Sequence, residues 1–384
     1  MNTTTRYILL VIFLVIGLHS ILSFTHEDYG RATSISNIAA QLPWSSSSST
    51  LEDIPDSYYI SPETNVTGGI QAGKANATLL MLARNSDTDS AVRSIRELED
   101  KFNKKFKYPW VLLNEEPFSD EFKKRISNVV SGEVHFGEIP HDHWYQPDWI
   151  DEEKATAARK KMEDDHIIYG GSLSYRNMCR FNSGFFYRHP ILQNYKWYWR
   201  VEPDVHFHCD IDFDPFAYMQ ENNKVYGFTI TMYEYLATIP TLWETVQNFI
   251  KENPQYVAEN NAVNYLSDNG GSSFNLCHFW SNFEIADMDF WRGEAYSKFF
   301  DHLDKTGGFY YERWGDAPVH SIAVSLFTRK DQIHFFDDIG YEHNPYTHCP
   351  RGPGKWEKGK CSCNPDHSFD YDGYSCMKQW DRIQ

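Results

Sequence analysis

Residues 77–113 read ATLLMLARNSDTDSAVRSIRELEDKFNKKFKYPWVLL, and this stretch decides the fold class. Ala77 to Ala83 is a short apolar run that stops at Arg84-Asn85. The segment from Asp87 to Lys107 is charged and carries Val92, Ile95, Leu98 and Phe102 at helical spacing, after which Tyr108 to Leu113 is apolar again. A helical period between two short apolar runs reads as strand, helix, strand. Further on, Ser119 to Val130 reads as a second helix and Val134-His135-Phe136 as a third strand. Alternation of this kind predicts an α/β fold with a parallel sheet and crossover helices. In such sheets ligands collect at the carboxyl ends of the strands.

The chain has 384 residues, with 36 Lys plus Arg against 53 Asp plus Glu and a formal net charge of −17. That balance argues against a nucleic-acid partner, because affinity for a phosphate backbone comes from clustered cations. Aromatic residues make up 16% of the chain, too much ring surface for a disordered protein. Acidic groups combined with Trp and Tyr suit polyhydroxylated ligands, whose C–H faces stack on rings and whose hydroxyls bond carboxylates.

The amino end predicts an address. Tyr7 to Phe24 is an uncharged apolar run preceded by Arg6. It is long enough to span a membrane, and the positive-inside rule leaves the body in a lumen. A cleaved signal peptide is the alternative. Residues 1–6 then form a cytosolic tail, 7–24 a transmembrane signal anchor, and 25–70, rich in Ser, Thr, Asn and Pro, a lumenal stem. The domain carrying the chemistry spans 71–384 and ends in a tail that needs disulfides to pack. Two sequons begin at Asn65 and Asn76, and there are seven cysteines, four of them from Cys349 onward. The odd count leaves one thiol over, and Cys209, on an apolar face, is expected to be the buried free one.

Asn194 to Asp214 reads NYKWYWRVEPDVHFHCDIDFD. From Val201 the odd positions are apolar, apart from Pro203, while the even positions are Glu202, Asp204, His206, His208, Asp210, Asp212 and Asp214. Extended backbone would put acids and imidazoles on one face, and Pro203 places a strand end near Val201. Glu202 and Asp204 could hold a divalent cation that neutralises a diphosphate. A solvated acidic edge is the equal alternative, and zinc at His206 and His208 is a further one that lacks a third ligand. The small-residue stretch Asn269 to Ser273 lacks the Lys and the Gly spacing of a phosphate loop and reads as a turn.

Four segments, SYRNMCRFNSG (174–184), WYWRVEPDVHFHCDI (197–211), HFWSNFEIAD (278–287) and FDDIGYEHNPY (336–346), resemble the fungal Golgi α-1,2-mannosyltransferases of glycosyltransferase family 15. The resemblance runs from Ala77 to the C-terminus. It implies a GT-A-type fold with a mixed, mostly parallel central sheet after an N-terminal transmembrane helix. It further implies retaining transfer of mannose from GDP-mannose to mannosylated O-linked or N-linked glycans of glycoproteins, with Mn2+, in a single-pass type II Golgi membrane protein. On the matching positions, Glu202 and His343 would be metal ligands and Asp204 a ligand or ribose contact. Glu284 would be the carboxylate at the reacting face of the mannose, and Tyr175 would lie near the donor. From its place after the first strand, Arg84 is expected to meet nucleotide or phosphate. Trp280, Trp291, Trp314 and Tyr310 to Glu312 are candidates for stacking on acceptor sugar. A lumenal glycoside hydrolase and a noncatalytic mannose-binding lectin are the competing classes.

Overall fold

The computed structural model describes residues 74–384. The expected tail, membrane segment and stem, with the Asn65 sequon, lie outside the described residues. Among the described residues no helix is long and apolar enough to cross a membrane.

Among the described residues twelve strands occur in chain order: β1 Ala77–Leu82, β2 Trp110–Asn114, β3 Val134–Glu138, β4 Trp197–Arg200, β5 Val205–Phe207, β6 Tyr226–Phe228, β7 Thr231–Tyr233, β8 Cys277–Phe279, β9 Glu284–Asp287, β10 Ile333–Phe335, β11 Tyr341–His343 and β12 Tyr346–His348. Seven of them form the central sheet, in the order β10-β6-β9-β4-β1-β2-β3. The neighbours are parallel except at β9, which runs against both β4 and β6. The sheet is therefore mixed and mostly parallel, as expected.

Its strands are apolar on both faces because both faces are covered. Leu79 and Met81 join one buried cluster with Trp110, Trp197 and Trp199, while Leu80 joins the other with Val111, Leu113 and Tyr198. Each fully buried aliphatic side chain contributes about 1.5–3 kcal/mol. The helix expected after β1 is α1, Thr88–Leu98, with Ala91, Ile95 and Leu98 buried against the sheet. It widens into a π-helical turn over Glu99–Asn103. There the buried Glu99 carboxylate accepts from Trp110 Nε1 and Asn103 Nδ2 at 2.7 Å each and from the Ser131 amide at 3.0 Å. Helix α2, Asp120–Ser127, starts at Ser119, whose hydroxyl accepts from the Phe122 amide. Helices α3, Leu173–Gly184, and α4, Asp316–Phe327, supply Phe181, Val319 and Ile322 to the second cluster.

The antiparallel course of β9 has one consequence for chemistry. Glu284, its first residue, pairs with Arg200, the last residue of β4. The start of β9 thus lies at the same edge as the carboxyl ends of β1 and β4.

The stretch after β4 is less regular than its parity suggests. Glu202-Pro203-Asp204 turns, with Asp204 in the left-handed region at φ 61°, a conformation that Asp tolerates better than most residues. Only Val205–Phe207 forms a strand, although Val205, Phe207, Cys209 and Ile211 are all buried. β5 pairs with β11 and β11 with β12 in a small antiparallel sheet, and β7 pairs with β8 in another. Asn269 to Ser273 is a turn held by the Asn269 side chain, which accepts from the Ser273 amide at 2.9 Å.

The expectation for Cys209 is overturned. Cys209 is disulfide-bonded to Cys361, Cys349 to Cys363 and Cys277 to Cys376, and the free thiol is Cys179, buried within α3. Parity placed Cys209 correctly on a buried face, but the C-terminal tail covers that face instead of the main core. The approach is close: a Cβ on Gly340, just before β11, would lie 2.5 Å from the Cys209 Sγ. The Asn76 sequon begins at β1, where Thr78 is fully buried and the Asn76 amide donates to the Asn194 carbonyl at 2.8 Å.

Candidate active site

Arg200 organises the strand edge. Its Nε donates to Glu202 Oε1 at 2.7 Å and its Nη1 to Asp316 Oδ2 at 2.6 Å, with Glu284 Oε1 at 4.0 Å. Asp316 opens α4, and its Oδ2 also accepts from Ser281 Oγ at 2.7 Å. One guanidinium therefore gathers three carboxylates from β9, α4 and the turn after β4. Burial opposes ionisation of Asp316, but the Arg200 and His320 charges and the Ser281 hydrogen bond hold its carboxyl below the usual range. Burial pushes the Glu202 carboxyl up, against the pull of Arg200.

Glu284 is 1% exposed. Its Oε1 accepts from Tyr198 Oη at 2.8 Å, and its Oε2 accepts from Tyr226 Oη at 3.1 Å and meets His320 Nδ1 at 3.0 Å. The other nitrogen of His320 lies 2.9 Å from the carbonyl oxygen of Asn182. A carbonyl only accepts, and so does an ionised carboxylate. With Glu284 ionised, His320 must carry both protons. Trp291 stacks on the ring at 4.3 Å, which suits a cation.

His343 reaches the same edge from another direction. In the β5–β11 pairing it lies opposite Val205, beside Asp204. Its Nδ1 is 2.7 Å from the Asn282 amide. Burial, and then the Arg200 charge, lower its basicity against the pull of Asp204, which favours a neutral ring with a lone pair to offer. Glu202 accepts from Arg200 through Oε1, and its carboxylate is a hard oxygen donor. One carboxylate oxygen and one imidazole nitrogen suit a divalent cation with mixed O and N donors. Among the described residues no group of three or more His, Cys, Asp or Glu side chains could hold a metal. His206 and His208 bond Glu97 and Glu342 at 2.8 and 2.9 Å, so the zinc alternative has no site.

The remaining predicted residues lie around this centre. Asp204 is exposed and pairs with Arg93 on α1 at 2.9 Å. Arg84 leaves β1 at the same edge and forks onto Asp87 at 3.0 and 3.1 Å, a partner it would have to exchange for a phosphate. Tyr175, on α3, stacks on Tyr169 at 4.4 Å and lies under the Arg313 guanidinium at 5.1 Å. Arg313 is in turn 3.6 Å from Glu234.

Several expected sugar contacts are core residues. Trp291 and Tyr310 are fully buried and Trp314 is 1% exposed. The Tyr310 hydroxyl donates to Asn177 Oδ1 at 3.0 Å and the Trp314 indole to Glu312 Oε2 at 2.5 Å. Tyr311 and Glu312 are partly exposed, and so is Trp280, whose ring stacks on His343 at 5.1 Å. Sequence reasoning missed Arg200, Asp316 and His320. Arg200 shares the even parity of Glu202 and was legible on that ground. Asp316 and His320 lie on one face of α4 and carried no signal.

Residues 46–384 match the profile of the family described as glycolipid 2-alpha-mannosyltransferase. Glycolipid 2-alpha-mannosyltransferase 2 of Candida albicans is 58% identical over 311 residues, covering 81% of this chain and 68% of that protein. The mannosyltransferase Ktr4p from S. cerevisiae, solved in complex with GDP, superposes with a TM-score of 0.78 at 44% identity over 85% of this chain and 87% of that one. Core-mannan synthase A from Aspergillus fumigatus, in a Mn/GDP form, gives 0.76 at 42% identity over 81% and 86%.

Proposed function

We infer the function from the premise that this chain belongs to the glycolipid 2-alpha-mannosyltransferase family, glycosyltransferase family 15: it is an α-1,2-mannosyltransferase that uses GDP-mannose and Mn2+. The observation that carries this reading is the Arg200 junction, where Glu202, Asp316 and Glu284 converge beside His343 at the carboxyl edge of the sheet. Glu202 and His343 would hold the ion. When bound, Mn2+ supplies the positive charge that an acidic protein otherwise lacks for a diphosphate. Arg84 would exchange Asp87 for a phosphate or the nucleotide, Asp204 would contact the metal or the ribose, and Tyr175 would lie toward the donor.

Transfer proceeds with retention. Glu284, Tyr198, Tyr226 and His320 form a preorganised buried network, and such fixed charge acts most strongly where water is excluded. Both Glu284 oxygens are occupied and the residue is 1% exposed. That geometry supports a carboxylate that stabilises positive charge on the sugar while the diphosphate leaves from the front face, in preference to one that bonds to C1. The acceptors are mannosylated O-linked or N-linked glycans of glycoproteins. The protein is a type II Golgi membrane protein held by residues 7–24.

The test incubates purified protein with GDP-mannose and a methyl α-mannoside, with Mn2+ or with chelator. Transfer should require Mn2+ and be lost in Glu202→Ala and Glu284→Ala. A Glu284→Ala protein with full rate removes that residue's role. Mannoside cleavage without nucleotide would indicate a hydrolase, and binding without turnover a lectin. A 2-fluoro analogue of GDP-mannose should leave no adduct on Glu284 by mass spectrometry; a trapped adduct would establish the covalent route.

A further inference from the structure

We propose that a track of aromatic rings leading outward from the metal site is a distal acceptor subsite, which binds the second mannose of a di- or oligomannoside. The proposal rests on the mannosyltransferase reading above. Trp280 stacks on His343 at 5.1 Å, Tyr346 follows at 5.5 Å from Trp280, Tyr374 at 6.3 Å from Tyr346, and Tyr235 at 6.0 Å from Tyr374. The last ring is 53% exposed, and its neighbour Leu236 is 60% exposed. Trp280, Tyr346 and Tyr374 are partly exposed, and a row of rings that ends in exposed large apolar groups beside a polar site marks a surface built for contact.

The rings come from separate segments that are fastened together. Tyr235 follows β7 and Trp280 follows β8, two strands paired with each other. Tyr346 begins β12. Tyr374 lies in the C-terminal tail, where the Tyr233 amide donates to its carbonyl at 3.2 Å and the Cys277–Cys376 disulfide pins the tail to β8. Holding the tail at this place is thus one consequence of the cysteine-rich C-terminus.

The chemistry favours a sugar. A pyranose presents a C–H face to a ring and hydroxyls at its rim. The Tyr374 hydroxyl lies close enough to Tyr235 and to the Glu234 carboxylate to feel both, which places polar groups at the edge of the platform. Glu234 also faces Arg313, whose guanidinium lies over Tyr175, so the platform adjoins the reaction centre. The nucleotide flank lies across β4, where Arg84 follows the end of β1.

The test compares purified wild type, Tyr235→Ala, Tyr374→Ala and Tyr374→Phe, using GDP-mannose and Mn2+ with either methyl α-mannoside or α-1,2-mannobiose. In the alanine variants the ratio of KM for mannobiose to KM for the monosaccharide should rise about threefold to tenfold, as expected for a lost ring contact. Tyr374→Phe, which keeps the ring, should stay near wild type. An unchanged ratio in both alanine variants overturns the proposal. So does a rise in the KM for GDP-mannose, which would assign the rings to the donor. If wild type transfers to neither mannoside, the underlying mannosyltransferase reading fails instead.

Discussion

The side-chain amide of Asn282 lies 2.7 Å from Nδ1 of His343, while the Tyr341 hydroxyl donates to Asn282 Oδ1 at 3.1 Å and to the Asn282 carbonyl at 3.2 Å. Turning the amide over keeps these contacts. Asn282 Oδ1 then accepts from Nδ1–H, and Asn282 Nδ2 donates to the Tyr341 oxygen. The lone pair on His343 Nε2 is left for a metal. Partners of this kind fix the tautomer of a ligating histidine.

Asn282→Ala should therefore weaken Mn2+ binding by about 10–100-fold, read from the Mn2+ concentration that half-activates transfer. Asn282→Asp, which can only accept, should keep most of the affinity. An equal loss in both variants would remove the tautomer argument.

Asp316 shares Arg200 with Glu202, and its side chain is 7% exposed. Removing one member of a buried ion pair costs about 3–5 kcal/mol, because the remaining charge loses its partner without regaining water. Asp316→Ala should lower stability to urea by that order. Asp316→Asn, which retains the contact with Ser281 Oγ, should cost less. A stable Asp316→Ala protein would show that Arg200 finds an adequate replacement, for which Glu284 at 4.0 Å is the candidate.

His320 bonds Glu284 and the Asn182 carbonyl through its two ring nitrogens. Nitrogen NMR of the protein at neutral pH, with the His320→Asn spectrum to assign the signals, should show two protonated ring nitrogens. A neutral tautomer would mean that Glu284 holds the proton. His320→Phe should slow transfer by about tenfold to a hundredfold, the equivalent of one charge-assisted hydrogen bond.

Cys179 is buried, and burial raises its thiol far above the usual range, so it is protonated and unreactive. A thiol reagent should find no group on the native protein and one per chain after unfolding without reductant. Two or more after unfolding would contradict the three disulfides.

The strands and helices of the first half were legible because each short-range pattern agreed with the layer it joined. The apolar run at Ala77 is buried on both faces, and Val92, Ile95, Leu98 and Phe102 keep helical spacing on one side of α1 and the turn that follows. Trp291 and Trp314 were misjudged because composition reports how many rings a chain has and not which of them the core takes. Cys209 was misjudged because pairing depends on a tail whose path no local rule describes.

By itself, the sequence determined the class of the fold, the acidic triplet at a strand end and, through four segments, the family. Those are properties of residues near one another in the chain or of order along it. Only the tertiary structure decided that Glu284 stands opposite Arg200, that His343 lies beside Asp204, and that Asp316 and His320 complete the buried network. These relationships come from the reversed direction of β9, the pairing of β5 with β11 and the seating of α4. Each brings together residues far apart in sequence, whose approach is set by packing and register and leaves no periodic trace in the chain.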